Sequence, residues 1–281
     1  MNDILAPKIP TEILGLLSEE PRACVQRLID LFSSSKRRPA DLSVRYSSSY
    51  PKSKLGAVLV LLYEDSGKLR VLLTTRAKTL RFEGGQTALP GGMFEESDKN
   101  LVDTAYREAY EEVNLPLACP HIHTLGILEP HPFRSLAVTP VVALLTNPQI
   151  LNSLKNEKRE VDHIFTHPLK AIIDPMLAAA EPLVVHGSDY WAFDTKYHNH
   201  QDYVVQKLGG LIYRMHCFQT SASPIRGLTA DILIQTAKAA YAENTTYERF
   251  AKYQLKTFAE MDALLKASVA KGTQTKAEQA S

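Results

Sequence analysis

The sequence predicts an α/β (α+β) fold, in which helices pack on both sides of a mixed β-sheet and further helices extend both ends. Three observations indicate this fold: an apolar β-hairpin, an amphipathic acidic helix after it, and further strands that precede the last helices. The 281 residues are 44% hydrophobic and carry a formal charge of +1. This composition excludes a disordered chain and gives no overall charge for binding nucleic acid.

The N-terminal region, residues 1–53, is predicted to contain one helix and a polar linker. The helix covers Ser18 to Phe32, because a serine suited to capping precedes early acids and apolar residues recur at helical intervals. The serine-rich stretch after it contains two prolines and is typical of a surface connection. We therefore place the main domain at residues 54–245.

The main domain is predicted to begin with a hairpin of two apolar strands, Lys54–Asp65 and Lys68–Arg76, joined by a turn at Ser66-Gly67. A helix over Asp98–Asn114 follows, because Leu101, Ala105, Ala109 and Val113 form an apolar stripe. We expect further strands over 122–128, 137–146, 161–165 and 211–218, and a helix from about Ala230 to Ala242.

The C-terminal region, residues 246–281, is predicted to form a helix from Tyr247 to about Ala270. The polar tail from Gly272 to Ser281 is expected to be frayed.

Three glutamates of the Asp98–Asn114 helix are predicted to lie together. Glu108, Glu111 and Glu112 stand at i, i+3 and i+4, so a helix places their carboxylates on one side, opposite the apolar stripe. Like charges in this arrangement destabilise a helix unless a cation lies between them. Carboxylate oxygens select hard ions, and Mg²⁺ binds a few of them together with the phosphate oxygens of a substrate. The spacing therefore indicates a divalent-cation site beside Arg107.

A pair of glycines precedes this helix. In the run Leu89-Pro90-Gly91-Gly92, the two glycines allow positive φ angles and a close approach of the backbone to a ligand. An Arg-Glu-x-x-Glu-Glu string alone is common on solvated helices. Its combination with the glycines favours a functional site.

Pro-Gly-Gly, an acid and then Arg-Glu-x-x-Glu-Glu resemble the signature of the Nudix hydrolases. The stretch 72–98 is also similar to the additional motif of the coenzyme A diphosphatase branch of that family. The matching residues are Leu72, Leu73, Thr74, Arg76, Leu80, Arg81, Gly85, Pro90, Gly91, Gly92 and Asp98. Four positions depart from the motif, at Ala77, Thr87, Leu89 and Glu95. The resemblance covers roughly residues 54–240 and implies the α/β/α sandwich of these enzymes.

The resemblance implies that Glu108, Glu111 and Glu112 hold Mg²⁺ or Mn²⁺, and that one of them or Glu160 accepts the proton of the attacking water. It also implies that Arg107 orients a glutamate. The candidate substrate-binding residues are Arg76, Arg81, Gly91 and Gly92, since a guanidinium binds two phosphate oxygens at once. The implied substrate is the small molecule coenzyme A, cut to 4'-phosphopantetheine and adenosine 3',5'-bisphosphate.

Two other functions stay open. One is a nucleoside triphosphate diphosphohydrolase that clears oxidised dGTP, since the same metal site serves many diphosphates. The other is a catalytically silent Nudix module that binds a nucleotide. The presence of all three mutually repelling glutamates favours catalysis.

Other features give weaker indications. Three cysteines without CxxC spacing indicate a reducing, intracellular compartment. The branch implies a peroxisome or mitochondrion, and the cytoplasm is expected if the chain is not targeted. The longest apolar run is too short for a membrane span. The sequence makes no prediction about the oligomeric state.

Overall fold

The computed structural model describes residues 9, 11–33, 51–133, 136–206, 210–257, 259–260 and 263. The helices are α1 (Thr11–Gly15), α2 (Glu19–Ser33), α3 (Leu101–Val113) and α4 (Gly227–Tyr241). The strands are β1 (Leu55–Asp65), β2 (Lys68–Arg76), β3 (Thr87–Ala88), β4 (Gly91–Met93), β5 (Ile122–Ile127), β6 (His131–Phe133), β7 (Leu136–Leu145), β8 (Val161–Pro168), β9 (His198–Val205), β10 (Leu211–Phe218) and β11 (Ile225–Arg226). Short 3-10 turns lie at Lys52–Lys54, Pro148–Ser153, Leu169–Ile172 and Pro175–Ala180.

Eight strands form one mixed sheet with the main order β3-β2-β1-β7-β5, in which β4 adds to β1, β6 to β7 and β8 to β2. Strands β1 and β7 run parallel, from the pair Leu55 and Ala137 to the pair Tyr63 and Leu145. Strands β9, β10 and β11 form a second, antiparallel sheet. Because β4 lies between the diverging ends of β1 and β2, the paired glycines enter the centre of the large sheet.

Successive side chains of β1 point to opposite faces of the large sheet. Leu59 and Leu61 pack in one apolar cluster with α3, whereas Val60 and Leu62 pack in a second cluster with α2 and α4. Helices therefore cover both faces, and the predicted α/β fold with a mixed sheet is confirmed.

The N-terminal helix α2 belongs to the same core as the main domain. Its side chains Cys24, Val25, Leu28 and Phe32 are buried with residues of the sheet and of α4. A Cβ added to Gly126 of β5 would lie 2.7 Å from Cδ1 of Phe32, so the ring packs directly on the strand backbone. Helix α2 therefore packs on the sheet of the main domain, and the predicted boundary at residues 53 and 54 stays a prediction.

The predicted hairpin, the strands at 122–128, 137–146, 161–165 and 211–218, and the helices at 18–32, 98–114 and 230–242 are all present, with ends shifted by a few residues. No helix in the described part of the chain is long and apolar enough to cross a membrane. The stretch 34–50 of the predicted linker and the tail from Gly272 to Ser281 lie outside the described residues.

The predicted helix from Tyr247 is wrong over residues 247–257, which are irregular. Contacts with the rest of the domain fix this segment instead: Tyr247 Oη donates to the Ile172 carbonyl at 2.7 Å, and Arg249 pairs with Asp231 at 2.6 Å. Residues 259, 260 and 263 are helical, and the other residues of the predicted helix after 257 lie outside the described residues.

Candidate active site

Helix α3 carries the three glutamates, and an asparagine fixes each of its ends. The Asn100 side chain accepts hydrogen bonds from the N–H groups of Val102 and Asp103, which the helix itself leaves without acceptors. At the other end, Asn114 adopts the left-handed conformation, with φ 56°. The apolar side of α3 packs on the sheet, so its glutamate side faces the edge where β4 enters.

The paired glycines of β4 lie directly against the first of these glutamates. A Cβ added to Gly92 would lie 2.5 Å from Cδ of Glu108, and one added to Gly91 would lie 2.6 Å from Cα of Val58 on β1. Glycine therefore leaves room for a carboxylate at one position and for the neighbouring strand at the other. The predicted contact of Gly91 and Gly92 with a substrate stays a prediction.

Glu112 is buried beside the glycines. Its side chain is deeply enclosed, the residue being 5% exposed, and Gly91 N–H donates to its Oε2 at 3.3 Å. Burial raises the pKa of Glu112 to about 8, and the charges of Glu108 and Glu160 add to this, whereas Arg76 opposes it. Glu112 is therefore held where its ionised form is disfavoured in the absence of a cation.

Glu108 is largely buried and lies between two opposing influences. Burial raises the pKa of Glu108, and the Arg107 guanidinium 2.9 Å away opposes that rise. The charges of Glu111 and Glu160 raise the pKa further. Glu108 and Glu112 thus form a pair of coupled acids around the glycine backbone.

Arg107 donates hydrogen bonds to three acids and one carbonyl, and a fourth acid, Glu95, lies 3.8 Å from its guanidinium. Its guanidinium donates to both oxygens of Asp98 at 2.9 and 3.0 Å, to Glu108 at 2.9 Å and to Glu111 at 3.1 Å. It also donates to the carbonyl of Met93, the last residue of β4. The predicted salt bridge of Arg107 with a glutamate is therefore present, and it ties the loop after the glycines to α3.

Asp98 completes this attachment. Burial opposes its ionisation, but hydrogen bonds from Arg107, the Glu95 N–H and the Thr104 hydroxyl lower the pKa of Asp98. Thr104 is fully buried on α3 and donates to Asp98 at 2.8 Å. Sequence reasoning missed Thr104, for which the one available signal was a hydroxyl close to the apolar stripe.

Two residues outside α3 lie beside the coupled acids. Arg76 ends β2, and its Nε is buried with no hydrogen-bond partner among the described residues. Glu160 stands exposed in the loop before β8, and its carbonyl accepts a hydrogen bond from the N–H of Ala77, next to Arg76. The charges of both residues act on Glu112: that of Arg76 lowers the pKa of Glu112 and that of Glu160 raises it.

The structure does not bring Arg81 and Glu111 to the same place. Arg81 is exposed, and its guanidinium lies 5.3 Å from the centre of the adjacent Phe82 ring. The Glu111 side chain is 51% exposed and is paired with Arg107. Their predicted roles, in substrate binding and as a metal ligand, stay predictions.

The donors fit a hard divalent cation only in part. Among the described residues, no group of three histidine, cysteine or acidic side chains is arranged to hold an ion. Glu108 and Glu112 do offer two coupled carboxylates, whose mutual repulsion and burial a cation would offset. Two carboxylates suit Mg²⁺ or Mn²⁺, which take their remaining ligands from water and substrate phosphate.

Comparison with known proteins identifies the family. A model described as the NUDIX domain matches residues 53–185. The peroxisomal coenzyme A diphosphatase NUDT7 of Mus musculus is 33% identical over 172 residues, which cover 60% of this chain and 69% of that protein. The mitochondrial Nudix hydrolase 15 of Arabidopsis thaliana is 33% identical over 199 residues, which cover 68% of this chain.

The chain spans 60% of the length of that plant protein and 56% of the chloroplastic Nudix hydrolase 22 of the same plant. A solved Nudix hydrolase of M. smegmatis is 21% identical, and the match covers 44% of this chain and 77% of that chain with a TM-score of 0.35. Sequence identity sustained over 69% of a mouse relative, together with a glutamate helix packed behind paired glycines, makes this chain a member of the Nudix hydrolase family.

Proposed function

We propose that this protein hydrolyses the diphosphate bond of coenzyme A and its derivatives, giving 4'-phosphopantetheine and adenosine 3',5'-bisphosphate. The observation that supports this most is the position of Glu108 and Glu112 against Gly91 and Gly92, together with the charge of Arg76, which acts on Glu112 and whose buried Nε has no hydrogen-bond partner among the described residues. That arrangement offers acids for a cation and a positive group for a phosphate at one place.

The choice of substrate rests on two further points. Residues 72–98 resemble the motif of the coenzyme A diphosphatase branch, and the charge of Arg76, part of that motif, lowers the pKa of Glu112, which supports a role at the acids. A second relative with this activity in its name, the peroxisomal coenzyme A diphosphatase ndx-8 of Caenorhabditis elegans, is 37% identical over 141 residues, 49% of this chain and 58% of that protein.

In the proposed reaction, water attacks one phosphorus of the diphosphate. Glu108 and Glu112 would hold Mg²⁺ or Mn²⁺, with Glu111 as a further candidate ligand. The cation would neutralise charge on the diphosphate oxygens. One of these acids or Glu160 accepts the proton of the water. Arg107 holds Glu108 and the loop after β4 in place, and Arg76 donates to a substrate phosphate through its fork of N–H groups.

The direct test is product analysis. Purified protein with Mg²⁺ should convert coenzyme A to the two named products, detected by mass spectrometry, and should act on oxidised dGTP with much lower efficiency. Far higher efficiency on oxidised dGTP would move the assignment to nucleotide clearance. Binding of coenzyme A with no turnover in Mg²⁺ or Mn²⁺ would instead favour a silent binding module.

We further propose that the protein acts inside the cell, in a peroxisome or mitochondrion. The names of the mouse and worm relatives mention the peroxisome and that of one plant relative mentions the mitochondrion, which supports an organelle. Imaging of the tagged full-length protein with markers of both organelles tests this, and a diffuse cytoplasmic signal would contradict it.

A further inference from the structure

The loop that carries Glu160 is attached to the catalytic helix. The N–H groups of Lys155 and Glu157 donate to the carbonyls of Val113 and Glu112, at 3.1 and 2.9 Å. These carbonyls belong to the last turn of α3, where the helix itself has no further N–H groups to donate to them. The loop therefore caps the end of the helix on which the coupled acids stand.

Glu160 lies in the turn that follows this attachment. Its N–H and that of Val161 both donate to the Glu157 carbonyl, at 2.9 and 2.8 Å, and its own carbonyl accepts from Ala77 N–H at 2.8 Å. Glu160 is thus connected through Glu157 to α3 and through Ala77 to the end of β2. These two attachments fix the backbone of Glu160 between α3 and β2, and the charge of its carboxylate raises the pKa of Glu108 and of Glu112.

The pairing of β8 with β2 is irregular just after Glu160. Thr75 pairs with His163 but Arg76 pairs with Val161, so the register skips Asp162. An extra residue of this kind bends the strand and changes the direction of nearby side chains. The bulge therefore lies opposite the end of β2 at Arg76, directly after Glu160 in the chain.

One side chain holds both carbonyls of this bulge. The Asn156 amide nitrogen donates to the Val161 carbonyl at 2.7 Å and to the Asp162 carbonyl at 3.3 Å. An amide group has two N–H donors, so a single asparagine can satisfy both carbonyls. Asn156 thereby links the part of the loop that is attached to α3 with the first residues of β8.

We infer that Asn156 is a positioning residue, which holds the bulge at Val161 and Asp162 so that Glu160 faces the acids of α3. This inference rests on the proposed hydrolysis of a diphosphate. An error of about 1 Å in the placement of a catalytic group can cost a hundredfold in rate. Asn156 therefore acts on catalysis through Glu160, without touching the substrate.

A double-mutant cycle tests this role. With coenzyme A and Mg²⁺, Glu160→Gln should lower kcat about a hundredfold, and Asn156→Ala about tenfold with KM unchanged within about twofold. In the Glu160→Gln background, Asn156→Ala should have less than about a twofold further effect, because residues that act as a unit are not additive. Multiplied losses in the double variant, or no loss in Asn156→Ala, would overturn the inference.

Asn152→Ala is the matched control, because the Asn152 amide donates to the Gln149 side chain at 3.0 Å within the 3-10 turn Pro148–Ser153, away from the bulge. It should leave kcat unchanged. If Asn156→Ala does not fold, Asn156→Ser removes the amide in the same cycle. If the wild-type protein acts on oxidised dGTP and not on coenzyme A, the proposed substrate fails, and the cycle is measured with oxidised dGTP.

Hydrogen exchange gives a readout that needs no turnover. Asn156→Ala should accelerate amide exchange at least severalfold in residues 155–162 and at Ala77, while α2 and α4 keep the protection of the wild-type protein. Unchanged exchange in residues 155–162 would overturn the inference even if the protein proved inactive on every diphosphate.

Discussion

The two faces of the large sheet differ in the polar groups that are buried on them. On the face toward α2 and α4, the side chains Val60, Leu62 and Phe32 pack in an apolar cluster. Buried hydroxyls near α4 are mutually bonded, with Thr75 and Thr87 at 2.8 and 2.7 Å from the Ser223 hydroxyl.

On the face toward α3, by contrast, Glu108 and Glu112 are buried close together with raised pKa values. Both faces therefore hold apolar clusters that stabilise the domain, but the face toward α3 also holds charges at a cost to stability. The cost is expected at the place where a cation and a phosphate are proposed to bind.

The largest effect is expected from Glu112→Gln. Removal of this proposed ligand should lower kcat on coenzyme A about a thousandfold, equivalent to about 4 kcal/mol of activation free energy. The exposed Glu96 provides the matched control, since Glu96→Gln changes an acid near the same loop and should keep full activity. Equal activity of the wild-type protein and Glu112→Gln in steady-state assays would remove Glu112 from the site.

The opposite face should respond in stability and not in chemistry. Phe32→Ala deletes a ring that is 2% exposed and packs on β5, so the free energy of unfolding should fall by about 3–4 kcal/mol. Leu16→Ala, at a side chain that is 76% exposed, should change it by less than about 0.5 kcal/mol. Urea denaturation measures both variants. A loss of kcat in folded Phe32→Ala as large as that in Glu112→Gln would contradict the separation of the two faces.

The pH dependence of stability sharpens the comparison. Burial raises the pKa of Glu112 from an ordinary 4.5 to about 8, so the folded protein binds a proton that the unfolded chain releases between these pH values. The metal-free protein should therefore lose about 1–3 kcal/mol of unfolding free energy as the pH rises from about 5 to 8.

Glu112→Gln should reduce this loss, and Mg²⁺ should restore stability to the wild-type protein at pH 8. Urea titrations in a chelator and in Mg²⁺, at three pH values, provide the measurement. A wild-type slope of the opposite sign would show that Glu112 is not held in its neutral form.

The smallest effect is expected at the arginines. Arg76→Ala should raise KM for coenzyme A about tenfold, near 1.4 kcal/mol, and should affect a small dinucleotide substrate less. Arg81→Ala serves as the comparison, because this exposed side chain lies over Phe82, and its KM effect should stay near twofold. Steady-state kinetics on both substrates would decide, and equal losses on the two substrates in Arg76→Ala would argue against a role specific to coenzyme A.

Local patterns predicted the parts of the fold that carry their own periodicity. The hairpin and α3 follow from apolar repeats within one segment. Strands β3 and β4 escaped prediction, because two and three residues become strands only through pairing with β2 and β1. The segment after Tyr247 was predicted as a helix from its local sequence. The prediction failed because contacts with distant residues such as Ile172 fix this segment, and local sequence does not display them.

The same division holds at the candidate site. Spacing along one helix predicted that Glu108, Glu111 and Glu112 lie together, but it did not show that Glu108 and Glu112 lie against the glycines whereas Glu111 is 51% exposed and paired with Arg107. The contribution of Asn156 depends on a register shift between two strands, and a single sequence does not display register.

The position of α2 limits how the segment that matches the family model can be isolated. The stretch that matches the family model, 53–185, contains neither α2 nor α4. A fragment with those borders would lack both helices that cover one face of the sheet, and Leu125, Val142 and Leu144 would be exposed to water. Such a fragment should aggregate on expression, whereas one that begins before Glu19 and continues past Tyr241 keeps both coverings.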